Sequence, residues 1–302
     1  MLSTLVVLAP VAAGFGAGVV LRGTGVATAR DGDFLFLLNM YVCLPALVFL
    51  ALSKVAITPE LMVFPLAALV MVGAGYVAGR GVVRARGMAT ARGAVVVIGF
   101  MIVNSSFALP FAEALYGEAG VARIAAFDIV NTTLVFTVAY AVAARANPAH
   151  SGGAVLLGRL LRTPPLYGIA LGLMVNVTDV AVPDEVTAVL APFGAVTPVL
   201  IAVATGILFK PVRGQFRRAG QFAAARLLLG LLVGLLVVLA FGLDGVDRGV
   251  LLLLAVAPLG FFAVTFSSLE NLDVDLAAQT LAVSLLGSFA LSLAVSVVFA
   301  VA

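Results

Sequence analysis

Residues 93–112 read GAVVVIGFMIVNSSFALPFA, a run long and apolar enough for one bilayer crossing, yet its centre is Asn104-Ser105-Ser106. Residues 249–268 read GVLLLLAVAPLGFFAVTFSS, with Pro258 near mid-run and Gly260 two residues on. Proline removes a backbone donor and clashes with the preceding turn, a cost of about 3 kcal/mol in a helix interior. Glycine adds backbone freedom, and asparagine and serine side chains compete for neighbouring backbone groups. Both runs are therefore expected to break at mid-span. Freed backbone groups are tolerated at membrane depth only against protein or a watery cavity. Two such breaks running in opposite senses would cross near the membrane centre and turn helix N-termini, with their partial positive charge, toward an anion. Asn104, Ser105, Ser106, Pro258, Leu259 and Gly260 are the candidate substrate-binding residues. The competing reading is a pair of ordinary kinks whose hydroxyls bond inside the bundle.

The rest of the chain fits a membrane setting. Of its 302 residues, 63% are hydrophobic and 10% charged, against about 25% charge in an ordinary soluble domain. Soluble, disordered, coiled-coil and disulfide-scaffold classes are excluded. The one cysteine, Cys43, cannot form an intrachain disulfide, and a single histidine, His150, excludes a multi-histidine metal site. Ten candidate spans follow at about 20 residues per crossing: 2–21, 34–52, 61–79, 93–112, 122–143, 164–178, 186–209, 222–241, 249–268 and 276–300. The first reads as a retained helix and not a signal peptide. Of the 17 Lys and Arg, fourteen fall in loops joining odd to even spans, leaving Lys54, Arg123 and Arg248 on the other side. The positive-inside rule then puts both termini outside a cell (inner) membrane. The net charge of +3 suits anionic lipid headgroups, not nucleic acid.

Internal similarity divides the chain in two. Span 1 carries Pro10-x3-Gly14-x3-Gly18 and span 6 carries Pro164-x3-Gly168-x3-Gly172, 154 residues later. Leu44-Pro45-Ala46-Leu47 in span 2 matches Thr197-Pro198-Val199-Leu200 in span 7, an offset of 153. Pairing Asn104 with Pro258 restores 154. Because five spans is an odd number, the second half enters the membrane inverted. The expected fold is an all-α polytopic membrane protein of ten transmembrane helices: two inverted five-helix repeats, residues 1–145 and 146–302, with broken, crossing helices 4 and 9. Carriers commonly place substrate at the midplane of such repeats.

Polar residues within spans supply further candidates. Asp128 in span 5 is read as the one charge clearly inside a span, and Asn131 and Thr132 share its helical face. They are candidates for ion or proton coupling, or for a structural acid satisfied by a neighbouring helix. Asn39 in span 2 either lines the cavity as a substrate-binding residue or bonds to a neighbouring helix. Thr265, Ser267 and Ser268 follow the second break. Ser284, Ser288 and Ser292 repeat every four residues, a spacing that suits small-residue packing. Glu270, Asp273 and Asp275 read as a solvated loop cluster that could pair with arginines. The basic run 210–226 is assigned to the anionic inner leaflet.

These residues resemble the auxin efflux carrier family, the mostly bacterial relatives of plant auxin exporters. The resemblance covers essentially the whole chain. It rests on Asn39 with Leu44-Pro45-Ala46-Leu47-Val48-Phe49, on Asn104 through Leu109-Pro110 with Tyr116-Gly117, on Pro198, and on Pro258 through Asp273. It implies ten helices in two inverted repeats, a scaffold-like domain from helices 1, 2, 6 and 7, and a transport-like domain from helices 3–5 and 8–10. It also implies movement of small organic anions, auxin-like weak acids or dicarboxylates such as malate, by an elevator-like motion. The chain departs from the family at Ala108, in a one-residue shorter spacing from Asn104 to Pro110, at Ala257 where methionine is common, and in a short central loop.

The function expected is a secondary active transporter in the membrane lipid, with a small organic anion as substrate and H⁺ or Na⁺ as candidate coupling ions; a homodimer is left open. No cofactor, metal or enzymatic activity is expected, since no Walker, G-x-S-x-G or H-E-x-x-H motif is found. The alternatives are a cation/proton antiporter using Asp128 and a sodium-coupled bile-acid-type symporter of related fold.

Overall fold

The computed structural model describes residues 2–54, 61–150, 162, 164–209 and 213–301. Arg159 and Lys210, counted among the basic loops, fall outside these residues. Among the described residues the regular structure is helical, with one isolated backbone bridge. The N-terminal run is α1 (Leu2–Gly23). Next comes α2 (Ala29–Leu38), opened by a capping box in which the Thr28 amide donates to Asp31 Oδ2 at 2.7 Å. A π turn at Asn39–Cys43 leads into α3 (Leu44–Ser53). Pro45 lacks an amide proton and crowds the preceding turn, and the wider turn absorbs that conflict without ending the helix.

α4 (Val63–Arg86) stops at Gly87, whose φ of 56° lets the Met88 amide reach back to Val83 O at 3.2 Å; this is the glycine-dependent Schellman ending. α5 (Thr90–Met101) and α6 (Ser105–Tyr116) divide the run 93–112. α7 (Glu118–Leu134) passes through a second π turn, Val135–Ala139, into α8 (Tyr140–Ala146). α9 (Pro164–Val177) begins on its proline pair, where a missing amide costs nothing. Then come α10 (Asp184–Leu208), α11 (Arg213–Phe241), α12 (Gly245–Ala255), α13 (Phe262–Leu269) and α14 (Val274–Val301). The run 249–268 is thus divided between α12 and α13. Among the described residues, six segments are long and apolar enough to span a bilayer unaided: Ala29–Ser53, Val63–Arg86, Ala119–Ala146, Asp184–Leu208, Phe216–Phe241 and Val274–Val298. The chain is an all-α polytopic membrane protein, and among the described residues two shorter apolar helices, Thr90–Met101 and Pro164–Val177, stand beside these.

Close packing follows the glycines. α1 lies along α10 and α3 along α9. A Cβ on Gly14 would sit 3.2 Å from Val199 O, next to Pro198, and one on Gly168 would sit 2.6 Å from Pro45 O. Both glycine runs therefore dock on the proline-bearing helix of the other half. A second pair is built alike. Gly75 of α4 abuts Phe100 O at the end of α5, and Gly230 of α11 abuts Ala255 O at the end of α12, with no room for a methyl group in either place. Gly75 and Gly230 are 155 residues apart, as are Phe100 and Ala255. Only hydrogen at Cα lets these helices approach so closely. α11 turns Leu228, Leu232, Leu235 and Leu239 outward, an apolar face suited to lipid.

Candidate functional site

The two interrupted runs meet. Ile102 and Asn104 leave helical geometry, with ψ values of 117° and 77°. Residues 256–261 separate α12 from α13. Val103 and Leu259 form an antiparallel bridge, the Asn104 amide donating to Pro258 O and the Gly260 amide to Ile102 O, each at 3.3 Å. Each break thus supplies backbone donors and acceptors to the other, which keeps buried peptide groups paired.

Neighbouring helices complete the pairing. The Leu259 amide donates to Ser284 Oγ of α14 at 3.2 Å, and that hydroxyl donates to Leu281 O at 2.9 Å. From α7, Asn131 Nδ2 reaches Val103 O at 3.3 Å and Asp128 Oδ1 at 3.0 Å. Ser105 Oγ donates to the same Asp128 oxygen at 2.7 Å. Asn104 caps α6, its Oδ1 accepting from the Phe107 amide at 3.3 Å. Its Nδ2 is buried with no partner among the described residues. A buried donor left unpaired costs about 1–3 kcal/mol, so this amide is a place where an acceptor from outside the chain would be stabilised.

The amides expected to be open to a guest are largely engaged. Those of Asn104, Phe107, Leu259 and Gly260 all have acceptors within the crossing. What the site offers instead is side-chain donors above a closed backbone knot.

Of the candidates, Asn104, Ser105, Pro258, Leu259 and Gly260 gather here with Asp128 and Asn131. Ser106 is exposed and Thr132 half-buried beside them. Asn39 sits in the first π turn, packed with α9 and α10, both its side-chain polar atoms buried without a hydrogen-bond partner among the described residues.

Three sequence readings change and one alternative is decided. Ser284 is more than a packing residue, because it holds the Leu259 amide. Glu270 is not solvated: it is fully buried, taking hydrogen bonds from Tyr140 Oη at 2.9 Å and Asn147 Nδ2 at 3.3 Å. Asp273 takes the arginine-pairing alternative, meeting Arg92 Nε at 2.8 Å. Arg226, placed at the lipid surface by its basic neighbours, is 3% exposed inside the bundle. Asp128 is therefore not alone as a charge within a span. The signal for Arg226 was present. Aligning Gly75-x3-Gly79 with Gly230-x3-Gly234 sets Arg226 opposite Met71, well inside its helix.

Other polar contacts tie the ends together. At one end Arg86 meets Gln221 at 3.4 Å and stacks over Phe222 at 5.2 Å. Arg123 of α7 pairs with Asp247 of α12. Ser268 of α13 donates to Asp33 of α2, beside a pocket of about 400 Å³ lined by Ala29, Leu208, Asn271 and Asp275. No group of metal-ligating side chains occurs among the described residues.

No curated protein matches the chain. Residues 149–297, however, match the family described as Membrane transport protein, a stretch that runs from before α9 to near the end of α14 and includes the second interrupted helix. That similarity covers just under half of the chain.

Proposed function

We propose that the protein is a secondary carrier of small organic anions, auxin-like weak acids or dicarboxylates, working by an elevator-like alternation. The observation that carries this reading is the buried, unpartnered Asn104 Nδ2 at the meeting point of two interrupted helices. An amide donor beside the N-terminus of α6 favours a carboxylate, through hydrogen bonding and helix polarity together.

An inverted repeat is supported by the reciprocal docking of the two glycine runs and by the constant interval of 155 residues at the Gly75 and Gly230 contacts. Inverted repeats whose interrupted helices meet at mid-membrane suit alternating access around a fixed site. A division of labour is supported by packing: α1, α2, α3, α9 and α10 contact one another, while the crossing is braced by α4, α7, α11 and α14. The first group would be the scaffold. The second would move with the anion.

Asp128 is read as the coupling group. Both of its hydrogen bonds end on Oδ1, and its charge lies against the α6 N-terminus that the guest would use. A proton or Na⁺ on Asp128 would remove that competition, linking cation and anion. The grouping of chain ends by side draws support from Arg86 with Gln221 at one end and Arg123 with Asp247 at the other; that both termini lie outside rests on the distribution of basic residues.

The test is flux into proteoliposomes of malate, malonate and indole-acetate. Saturable flux that falls at least tenfold in Asn104→Ala is expected. Folded protein that moves none of them would overturn the reading.

A further inference from the structure

We infer that Arg226, with Thr280, forms a carboxylate subsite on the α11–α14 side of the crossing; this rests on the anion-carrier reading. Arg226 stands mid-way along α11 and is 3% exposed. Its Nε and Nη2 are buried without a hydrogen-bond partner among the described residues. Two cavities adjoin it. One is lined by Gly99, Phe100, Leu259, Ala277 and Thr280, the other by Met71, Phe100, Val103, Gly230 and Val233. Val103 and Leu259 are the two residues of the backbone bridge, so the guanidinium side of α11 faces the crossing itself. Thr280 Oγ1, in the first cavity, is likewise buried and unpartnered.

No acidic residue lines either cavity. Asp128, the acid of the crossing network, is bound to Ser105 and Asn131. Guanidinium stays protonated in proteins, and taking an ion out of water without a counter-charge costs several kcal/mol. The pocket therefore holds a fixed positive charge, two idle guanidinium nitrogens and an idle hydroxyl. Such a group matches a carboxylate, which can accept from all of them.

Packing alone does not call for this charge. Met71 stands 155 residues earlier, four residues before Gly75 as Arg226 is four before Gly230. It is buried at 5% exposure. The first half fills the equivalent place with an unbranched apolar side chain of similar length. The second half puts a cation there, and the two side chains line the same cavity. Each cavity measures about 10 Å³, room for about one water or one carboxylate oxygen. An end group enters, not a whole molecule.

The experiment uses the full chain in detergent, its unfolding followed by a thiol-reactive dye at Cys43, the one cysteine, which is buried when folded. Malate, malonate, indole-acetate and chloride are titrated separately. Wild type should gain Tm with a carboxylate. Arg226→Gln and Arg226→Met should raise the half-effective concentration by about 10- to 100-fold, as loss of charge-assisted hydrogen bonds requires. Arg226→Lys should retain part of the response, and Thr280→Val should weaken it several-fold. Without anion, Arg226→Met should melt no lower than wild type. A wild-type response kept in full by Arg226→Gln, or by both Arg226→Lys and Thr280→Val if the other variants do not fold, overturns this inference alone. A lower anion-free Tm for Arg226→Met, making the charge structural, also overturns it. A response to chloride only assigns the site to a halide and overturns the carboxylate. Wild type indifferent to every carboxylate overturns the carrier reading beneath it.

Discussion

Replacing Gly260 by alanine tests the crossing where it is tightest. A Cβ at this position would overlap Ile102 Cγ2 and lie 3.2 Å from Ile102 Cβ, while the Gly260 amide is held to Ile102 O at 3.3 Å. The methyl cannot be accommodated by a swinging side-chain end, because Cγ2 is one bond from the Ile102 branch point. Overpacking of this kind costs about 1–3 kcal/mol. If the bridge parts instead, a hydrogen bond worth about 0.5–1.5 kcal/mol goes and a buried donor is exposed to further cost. Gly260→Ala should therefore lose about 1–3 kcal/mol. Gly16→Ala, in an exposed part of α1 with nothing within 4 Å of the new methyl, should gain up to about 1 kcal/mol from helix propensity. Ile102→Ala removes the clashing atom and opens a cavity costing about 2–5 kcal/mol. In the double variant Gly260→Ala should be far less harmful, giving a coupling of about 1–2 kcal/mol in a cycle read by reversible unfolding in mixed micelles. Strict additivity would show that the two residues do not touch, and would refute the bridge.

Three further outcomes are expected. Ser284→Ala leaves the Leu259 amide without its acceptor and should destabilise by about 1–3 kcal/mol in the same unfolding assay, whereas Ser296, whose hydroxyl only bonds back along α14, should tolerate alanine within about 0.5 kcal/mol. Asp128→Asn keeps an oxygen for Ser105 and Asn131; it should fold normally yet lose the dependence of anion flux on a proton or Na⁺ gradient, measured in liposomes. Glu270→Gln turns one acceptor into a donor facing Tyr140 or Asn147 and should lower stability by about 1–3 kcal/mol, while Asp273→Asn, which breaks a pair whose Arg92 is 41% exposed, should change it by less than about 1 kcal/mol.

The breaks were legible in the sequence because backbone chemistry is local. Pro258 cannot donate, Gly260 does not resist unwinding, and Asn104 can cap the helix that follows it; each acts on its own neighbours wherever the chain goes. Which partner would take the freed groups was not legible. Ser284 looks identical to Ser288 and Ser292 along α14, and only the approach of Leu259 distinguishes it. Charge is hidden from the sequence for a related reason. Arg226 follows Arg213, Arg217 and Arg218 in sequence, so composition groups it with a surface loop, but α11 begins at Arg213 and carries it several turns inward. Glu270 likewise shares a short acidic stretch with Asp273 and Asp275, yet it sits at the C-terminal end of α13, where Tyr140 and Asn147 close over it. A loop assigned by hydropathy has no inside or outside until helices pack against it.

The most direct measurement is a structure of the full chain with malonate bound. The account places the anion against the crossing, with a carboxylate oxygen accepting from Asn104 Nδ2 while Val103 and Leu259 remain bridged. Malonate bound only at a remote surface, or residues 93–112 and 249–268 each forming one continuous helix, would contradict it.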